Sequence, residues 1–323
     1  MSDALDVVTL GEAMVLLVAD QPGPLQHAHS FTKRTAGAET NVAIGLARLG
    51  MRVGWQSRLG DDSMGRYLRD QMAGEGIDCS RLELQASQRS GFMFKGRVDD
   101  GSDPPIEYHR RGSAASLFGP QDLDLPWLTS ARHLHVTGVY AALTPSTLAA
   151  TQALMAVMRA AGRSISFDPN LRPALWPSAE VMRSTINALA SHSDWVLPGL
   201  SEGRLLTGRD TAAEIAEFYR TNGASKVIIK LGEQGAWYAD AQAAGQIPAW
   251  PVPQVIDTVG AGDGFAVGVI SALLAGEPLA AAAQRGAWIG ARAVQVRGDT
   301  EGLPTLAELH AAGFSGMSRP TKR

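Results

Sequence analysis

The sequence predicts a three-layer α/β fold: a central, mostly parallel β-sheet with helices on both faces and a small β lid. Three observations carry that expectation. Short β-branched runs alternate with segments of helical apolar spacing along most of the chain. Two stretches, 16–34 and 91–112, break this rhythm and read as the lid. A chain of 323 residues, 45% hydrophobic and 19% charged, is long and apolar enough to bury a large core.

In chain order, 7–10 (VVTL) is the first sheet strand, and 40–49 (TNVAIGLARL) has helical spacing and stops at Gly50. The run 53–57 (VGWQS) returns to the sheet. In the lid, GFMFKGRVDDGSDPPIEYHRRG reads as a hairpin across an Asp-Gly and Pro-Pro turn region. A strand at 133–136 (HLHV) leads to an Ala- and Met-rich helix at 148–161, which stops at Gly162. The uncharged run 136–158 is interrupted by Pro145 and several Thr, Ser and Gln, so it reads as strand, loop and helix rather than a membrane span. Runs 164–168 (SISFD), 195–197 (WVL) and 227–230 (VIIK) continue the sheet. With no repeat or low-complexity linker, 1–315 is expected to be one domain and 316–323 a mobile tail.

Composition narrows the partners. A formal net charge of −3 supplies no general basic field, which argues against nucleic acid or an anionic membrane as partner and makes any anion site local. The single cysteine, Cys79, excludes an intramolecular disulfide and a Cys-x-x-Cys motif. The start, MSDALDVVTLGEAM, lacks a basic segment followed by an apolar one, so no secretory signal is read and a soluble, cytoplasmic protein is expected.

The chemistry concentrates in DTVGAGDGFAVG, 257–268. Ligands of parallel sheets collect where strand ends lead into helix N-termini. There Gly260, Ala261 and Gly262 can turn tightly with outward N–H groups, and the next helix adds its positive dipole end, making an anion hole. Asp263 would lie in the first helical turn, where the dipole favours an ionised carboxylate able to take a proton from an alcohol. An anion hole beside a base suits phosphoryl transfer; an N-cap of a buried Gly/Ala helix explains the same aspartate. No Gly-Lys dipeptide and no His-Arg-Asp triplet occurs, and GAGDGF lacks the third glycine of a dinucleotide fingerprint.

From TLGEAM to EGLPT the chain resembles the PfkB, or ribokinase-like, family of carbohydrate kinases, and DTVGAGDGFAVG matches that family's C-terminal signature. TAGAETNVAIGLARLG resembles its sugar-binding motif and KLGEQGAW its nucleotide-side strand and loop. The resemblance implies a ribokinase-like fold, with Asp263 as catalytic base, 260–262 as anion hole, and Lys230, Gly232, Gly235 and Thr258 beside ATP. Within the family, GAETN, EYHRRGSAAS, SFDPNLRPALW, LPGLSEGRLLTG and VRGDTEGLP are most similar to kinases of 2-keto-3-deoxygluconate, which make the 6-phosphate. A kinase for fructose, ribose or a nucleoside is the alternative, and a catalytically silent sugar or nucleotide sensor a more distant one.

A sugar acid needs a cation. Arg172, following the strand that ends in Asp168-Pro-Asn170, offers a planar guanidinium at the carboxyl edge of the sheet, and Arg110 on the lid could close from above. Arg172 could instead pair with Asp168, and Arg110 could be a solvated lid residue. The resemblance adds Gly37 and Asn41 as sugar contacts; a helix cap explains Asn41, and lid packing Tyr108, as well.

Three positions depart from the family pattern: Ala36 before Gly37 where two glycines are usual, Gly199 in place of the Asn of an Asn-x-x-Glu motif, and Met93 where some sugar-acid kinases place Tyr. Only Glu202 of the second motif carries over, as an indirect organiser of Mg2+, which phosphoryl transfer itself calls for. The resemblance allows a monovalent cation near Asp257 and Thr258. His133 and His135, on one face of a buried strand, read as core. An apolar lid face makes a homo-oligomer plausible.

Overall fold

The computed structural model describes residues 4–98 and 104–316. The Asp-Gly turn of the lid and the tail from 317 onward lie outside them. Among the described residues the strands are β1 (Val7–Leu10), β2 (Met14–Pro22), β3 (Phe31–Ala36), β4 (Val53–Gly60), β5 (Leu82–Gln85), β6 (Gly91–Arg97) and β7 (Ile106–His109), followed by β8 (His133–Thr137), β9 (Ser164–Asp168), β10 (Trp195–Val196), β11 (Lys226–Lys230), β12 (Ala236–Ala239) and β13 (Ala244–Ile247).

Nine of these form the main sheet in the order β13-β12-β11-β10-β9-β8-β1-β4-β5. The pairs from β11 across to β5 are parallel, whereas β12 and β13 add an antiparallel hairpin at one edge. Alternation across the pleat builds the two cores. Val7 packs into one and Val8 into the other; Ile228 joins the first, while Val227 and Ile229 join the second. The helices Ala38–Arg48, Ala261–Leu274 and Leu279–Ala293 supply buried side chains to the first core. Pro145–Ala160 and Ala179–Ser191 supply them to the second. No described helix is long and apolar enough to cross a membrane.

The lid is a separate four-stranded sheet, ordered β3-β2-β6-β7. It begins at Met14, with three residues between it and β1, so the chain passes straight from main sheet to lid. Met93 and Lys95 on β6 are buried inward, whereas Phe92, Phe94 and His109 cluster with Phe31 on the other face. His133 and His135 are core residues sharing the hydroxyl of Ser166, as expected for one face of a strand.

Phe167 is fully buried one residue before Asp168, where β9 enters the cleft. Phe167→Ala is expected to cost about 3–5 kcal/mol of stability, read as a lowered urea midpoint.

Candidate active site

Two cavities open along the carboxyl ends of the parallel strands. The first, about 410 Å³, lies under the lid and is lined by Gly37, Asn41, Tyr108, Arg110, Arg172 and Asp263 among others. The second, about 460 Å³, has apolar walls including Val252, Val255, Phe265 and Val294, and it contains Gly232 and Gly235. They meet at Lys230, Thr258 and Gly262, which line both.

The meeting point is the N-terminus of the Ala261–Leu274 helix, whose first-turn amides have no intrahelical acceptor. Gly260 caps it at φ 84°, and a Cβ there would lie 2.5 Å from the Asp299 carbonyl oxygen, so only glycine fits. Gly37 is similar: its φ is 152°, and a Cβ would lie 2.4 Å from the Glu12 carbonyl oxygen. That glycine therefore lets the Ala38–Arg48 helix start hard against the lid hinge as well as lining the cavity.

Asp263 occupies the third helical position and is held by two amides. Asn41 Nδ2 donates to one carboxylate oxygen at 2.7 Å and Asn170 Nδ2 to the other at 3.4 Å. Asn41 is thus not a helix cap; Gly37 holds that position. The Asn41 Oδ1 is buried and has no partner. Asn170, at φ 39°, is a non-glycine residue in the left-handed region, and its amide N–H donates to Asp168 Oδ1 at 3.1 Å. The expectation that the helix dipole keeps Asp263 ionised is corrected here: burial pushes its carboxyl up to about 8, further raised by Asp168 and Asp299 and opposed by the Asn41 bond and by Lys230. Desolvation is the largest cause of that rise.

Arg172 does not pair with Asp168. Its Nη1 donates to Asn170 Oδ1 at 2.8 Å and to the Leu171 carbonyl at 2.9 Å, at the solvent side of the cleft. Asp168 instead accepts from Lys230 Nζ at 2.6 Å. Arg110 is no solvated lid residue: its Nε and Nη2 grip Glu12 Oε2 at 2.7 and 2.6 Å. The other Glu12 oxygen accepts from Ser113, and Tyr108 lies exposed on β7 with the Arg110 guanidinium 6.0 Å from its ring centre.

Glu202 has both carboxylate oxygens engaged, accepting from the Gly199 and Leu171 amides at 2.7 Å each. It caps the start of the Leu200–Thr207 helix by accepting from the Gly199 amide, and it fixes the loop that carries Arg172. Among the described residues no three His, Cys, Asp or Glu side chains converge to hold a metal. Asp257, near which a monovalent cation is expected from the resemblance, accepts instead from Lys95 Nζ at 2.6 Å.

The sequence reading misses Glu12, Lys95 and Asp299, and it names Asp168 and Asn170 only as neighbours of Arg172, with no role of their own. Lys95 leaves a trace, as a charge on the strand face it shares with Met93 inside an otherwise aromatic run.

A model of pfkB family carbohydrate kinases matches residues 4–306. A 2-dehydro-3-deoxygluconokinase of Bacillus subtilis (strain 168) is 46% identical over 316 residues, 98% of this chain and 97% of the relative. A PfkB protein from Polaromonas sp. JS666 superposes with a TM-score of 0.89 at 61% identity, covering 95% of this chain and all of that one. An Escherichia coli protein described as a ribokinase II, solved with ATP and Mg2+, gives 0.88 at 26% identity, with 95% and 98% covered.

The Asp263 carboxyl, ordinarily near 3.8, holds its proton to about 8 in the folded protein. Its stabilising contribution is therefore complete at low pH and is lost as pH rises through about 8. Asp263→Asn removes that dependence. Thermal midpoints followed by circular dichroism are expected to differ least for variant and wild type at about pH 3, below the unfolded pKa, and to favour the variant by about pH 9.

Proposed function

This chain belongs to the pfkB family of carbohydrate kinases, and we propose that it transfers the γ-phosphoryl group of ATP to the terminal hydroxyl of 2-keto-3-deoxy-D-gluconate, giving the 6-phosphate. The observation that carries this reading is the shared border: a polar cavity and an apolar cavity meet at Lys230, Thr258 and Gly262 with Asp263 beside them. Acceptor and donor enter from opposite sides of one anion hole.

The sugar acid lies under the lid. Its carboxylate is gripped by Arg172 and by the part of Arg110 that Glu12 leaves unengaged. A sugar hydroxyl donates to the orphaned Asn41 Oδ1, which otherwise bears the cost of burial without a bond. Asp263 takes the proton of the attacking hydroxyl, while the 260–262 amides and Lys230 hold the charge of the group in transfer. The lid excludes water, which limits hydrolysis of ATP.

ATP supplies the phosphoryl group, its base meeting the apolar walls of the second cavity beside Gly232 and Gly235. No protein cage for Mg2+ exists among the described residues, which suits an ion carried by the nucleotide phosphates, with Glu202 shaping the nearby loop. The same reading gives a cytoplasmic enzyme and an assembly in which copies cover the Phe31, Phe92, Phe94 and His109 face of the lid.

ADP release with Mg-ATP, compared across 2-keto-3-deoxygluconate, its galacto epimer, gluconate, fructose and ribose, is expected to favour the keto-deoxy acids. Arg172→Ala should raise KM for the acid about 10- to 100-fold and affect neutral sugars less. Preference for fructose or ribose would keep the kinase and remove the arginine clamp. Asp263→Asn should lower kcat by about 10²- to 10⁴-fold with the fold intact, and near-normal turnover would overturn its role as base.

A further inference from the structure

A second polar assembly lies behind the anion hole, and the reaction as described does not use it. Lys95 on lid strand β6 is 1% exposed, and its ammonium sits 2.6 Å from Asp257 Oδ2 and 3.7 Å from Asp299 Oδ1. Both aspartates are buried, and both touch the turn that forms the anion hole. Asp257 Oδ1 accepts from the Val259 amide at 3.1 Å, and the Asp299 backbone packs where a Cβ on Gly260 would stand. Asp299 Oδ2 also lies 3.5 Å from the Asn41 amide nitrogen that bonds Asp263. One ammonium therefore ties the lid to the anion hole and, through Asn41, to the base.

Holding a lid shut requires no charge. Burying an ammonium is costly, and an apolar side chain at position 95 would pack against Met93 and the lid core without that cost. What an apolar residue cannot do is offset two adjacent carboxylates, which would otherwise repel each other and release the Val259 amide. A small cation in the gap could do so.

We propose that Lys95 is a positioning residue for phosphoryl transfer: its ammonium, fixed between Asp257 and Asp299, holds the 259–262 turn in its anion-binding shape and takes the place of a monovalent cation there. The enzyme then carries its own cation, delivered by the lid. The inference requires kinase activity but not the identity of the sugar acid, so it is measured with whichever acceptor the substrate panel selects.

The first test uses the wild-type protein. Turnover should change by less than about twofold when potassium is replaced by tetramethylammonium, and activation by potassium of about tenfold or more would overturn the proposal. The second uses two variants checked for folding by circular dichroism. Lys95→Met should lower kcat on the order of 10²-fold while KM for the sugar moves little, because the anion hole and not the sugar pocket loses its support. Lys95→Ala leaves space, so added methylammonium or potassium should restore part of kcat, whereas tetramethylammonium should not. A folded Lys95→Met with near-normal kcat, or a folded Lys95→Ala that no small cation restores, would overturn the assignment. If neither variant folds, the wild-type potassium titration decides alone.

Discussion

The site depends on keeping Asp257, Asp263 and Asp299 close together out of water. Each is less than one-tenth exposed, and unpaired carboxylates in such a place carry a large desolvation cost. The surroundings answer it in three ways. Lys95 offsets Asp257 and Asp299, the Asn41 and Asn170 amides donate to Asp263, and burial leaves a proton on Asp263 up to about pH 8. Asp299, held up to about 6 by burial with Lys95 pulling the other way, is intermediate. Arg172, Asn170, Asp263, Asn41, Asp299 and Lys95 thus form one polar chain across the cleft floor, with arginine and lysine at its ends.

The fold makes this possible by convergence. β9 and the loop after it deliver Asp168 and Asn170, β11 delivers Lys230, and the helix after 260 delivers its N-terminal amides, all at the carboxyl edge of one sheet. The lid adds what the sheet lacks. Glu12, between β1 and β2, anchors Arg110 across 98 residues of sequence, and β6 brings Lys95 to Asp257 across 162. Side chains of the lid and of the segment around Asp257 are therefore in direct contact.

This arrangement explains which parts were legible in the sequence. The parallel strands are buried on both faces, so 7–10, 164–168 and 227–230 read as β-branched runs. The edge strands LELQ and AGQI, and AWYA beside the latter, are short and partly exposed, and carry no comparable signal. Asp263 and its anion hole are contiguous, so the motif shows both at once. Glu12, Lys95 and Asp299 lie in separate segments, where each looks like an ordinary lid or loop charge; only tertiary contact reveals them as partners. The charge state of Asp263 was illegible for the same reason, since it is set first by burial among residues distant in sequence.

On the proposed reading, a base that burial keeps protonated at first sounds unsuited to catalysis, yet it fits an enzyme that must not act on water. With the carboxyl near 8, the ionised form is the minority at neutral pH until something stabilises it. A sugar hydroxyl arriving under the lid donates a hydrogen bond to the charged form, and that lowers the pKa. Lys230, already beside Gly262, adds attraction that strengthens as water leaves. On the proposed reading, the acceptor itself then brings the base into its working state. On the same reading, a water molecule reaching that carboxyl has neither a carboxylate for Arg172 nor a further hydroxyl for Asn41 Oδ1, so it would draw no binding energy toward lid closure.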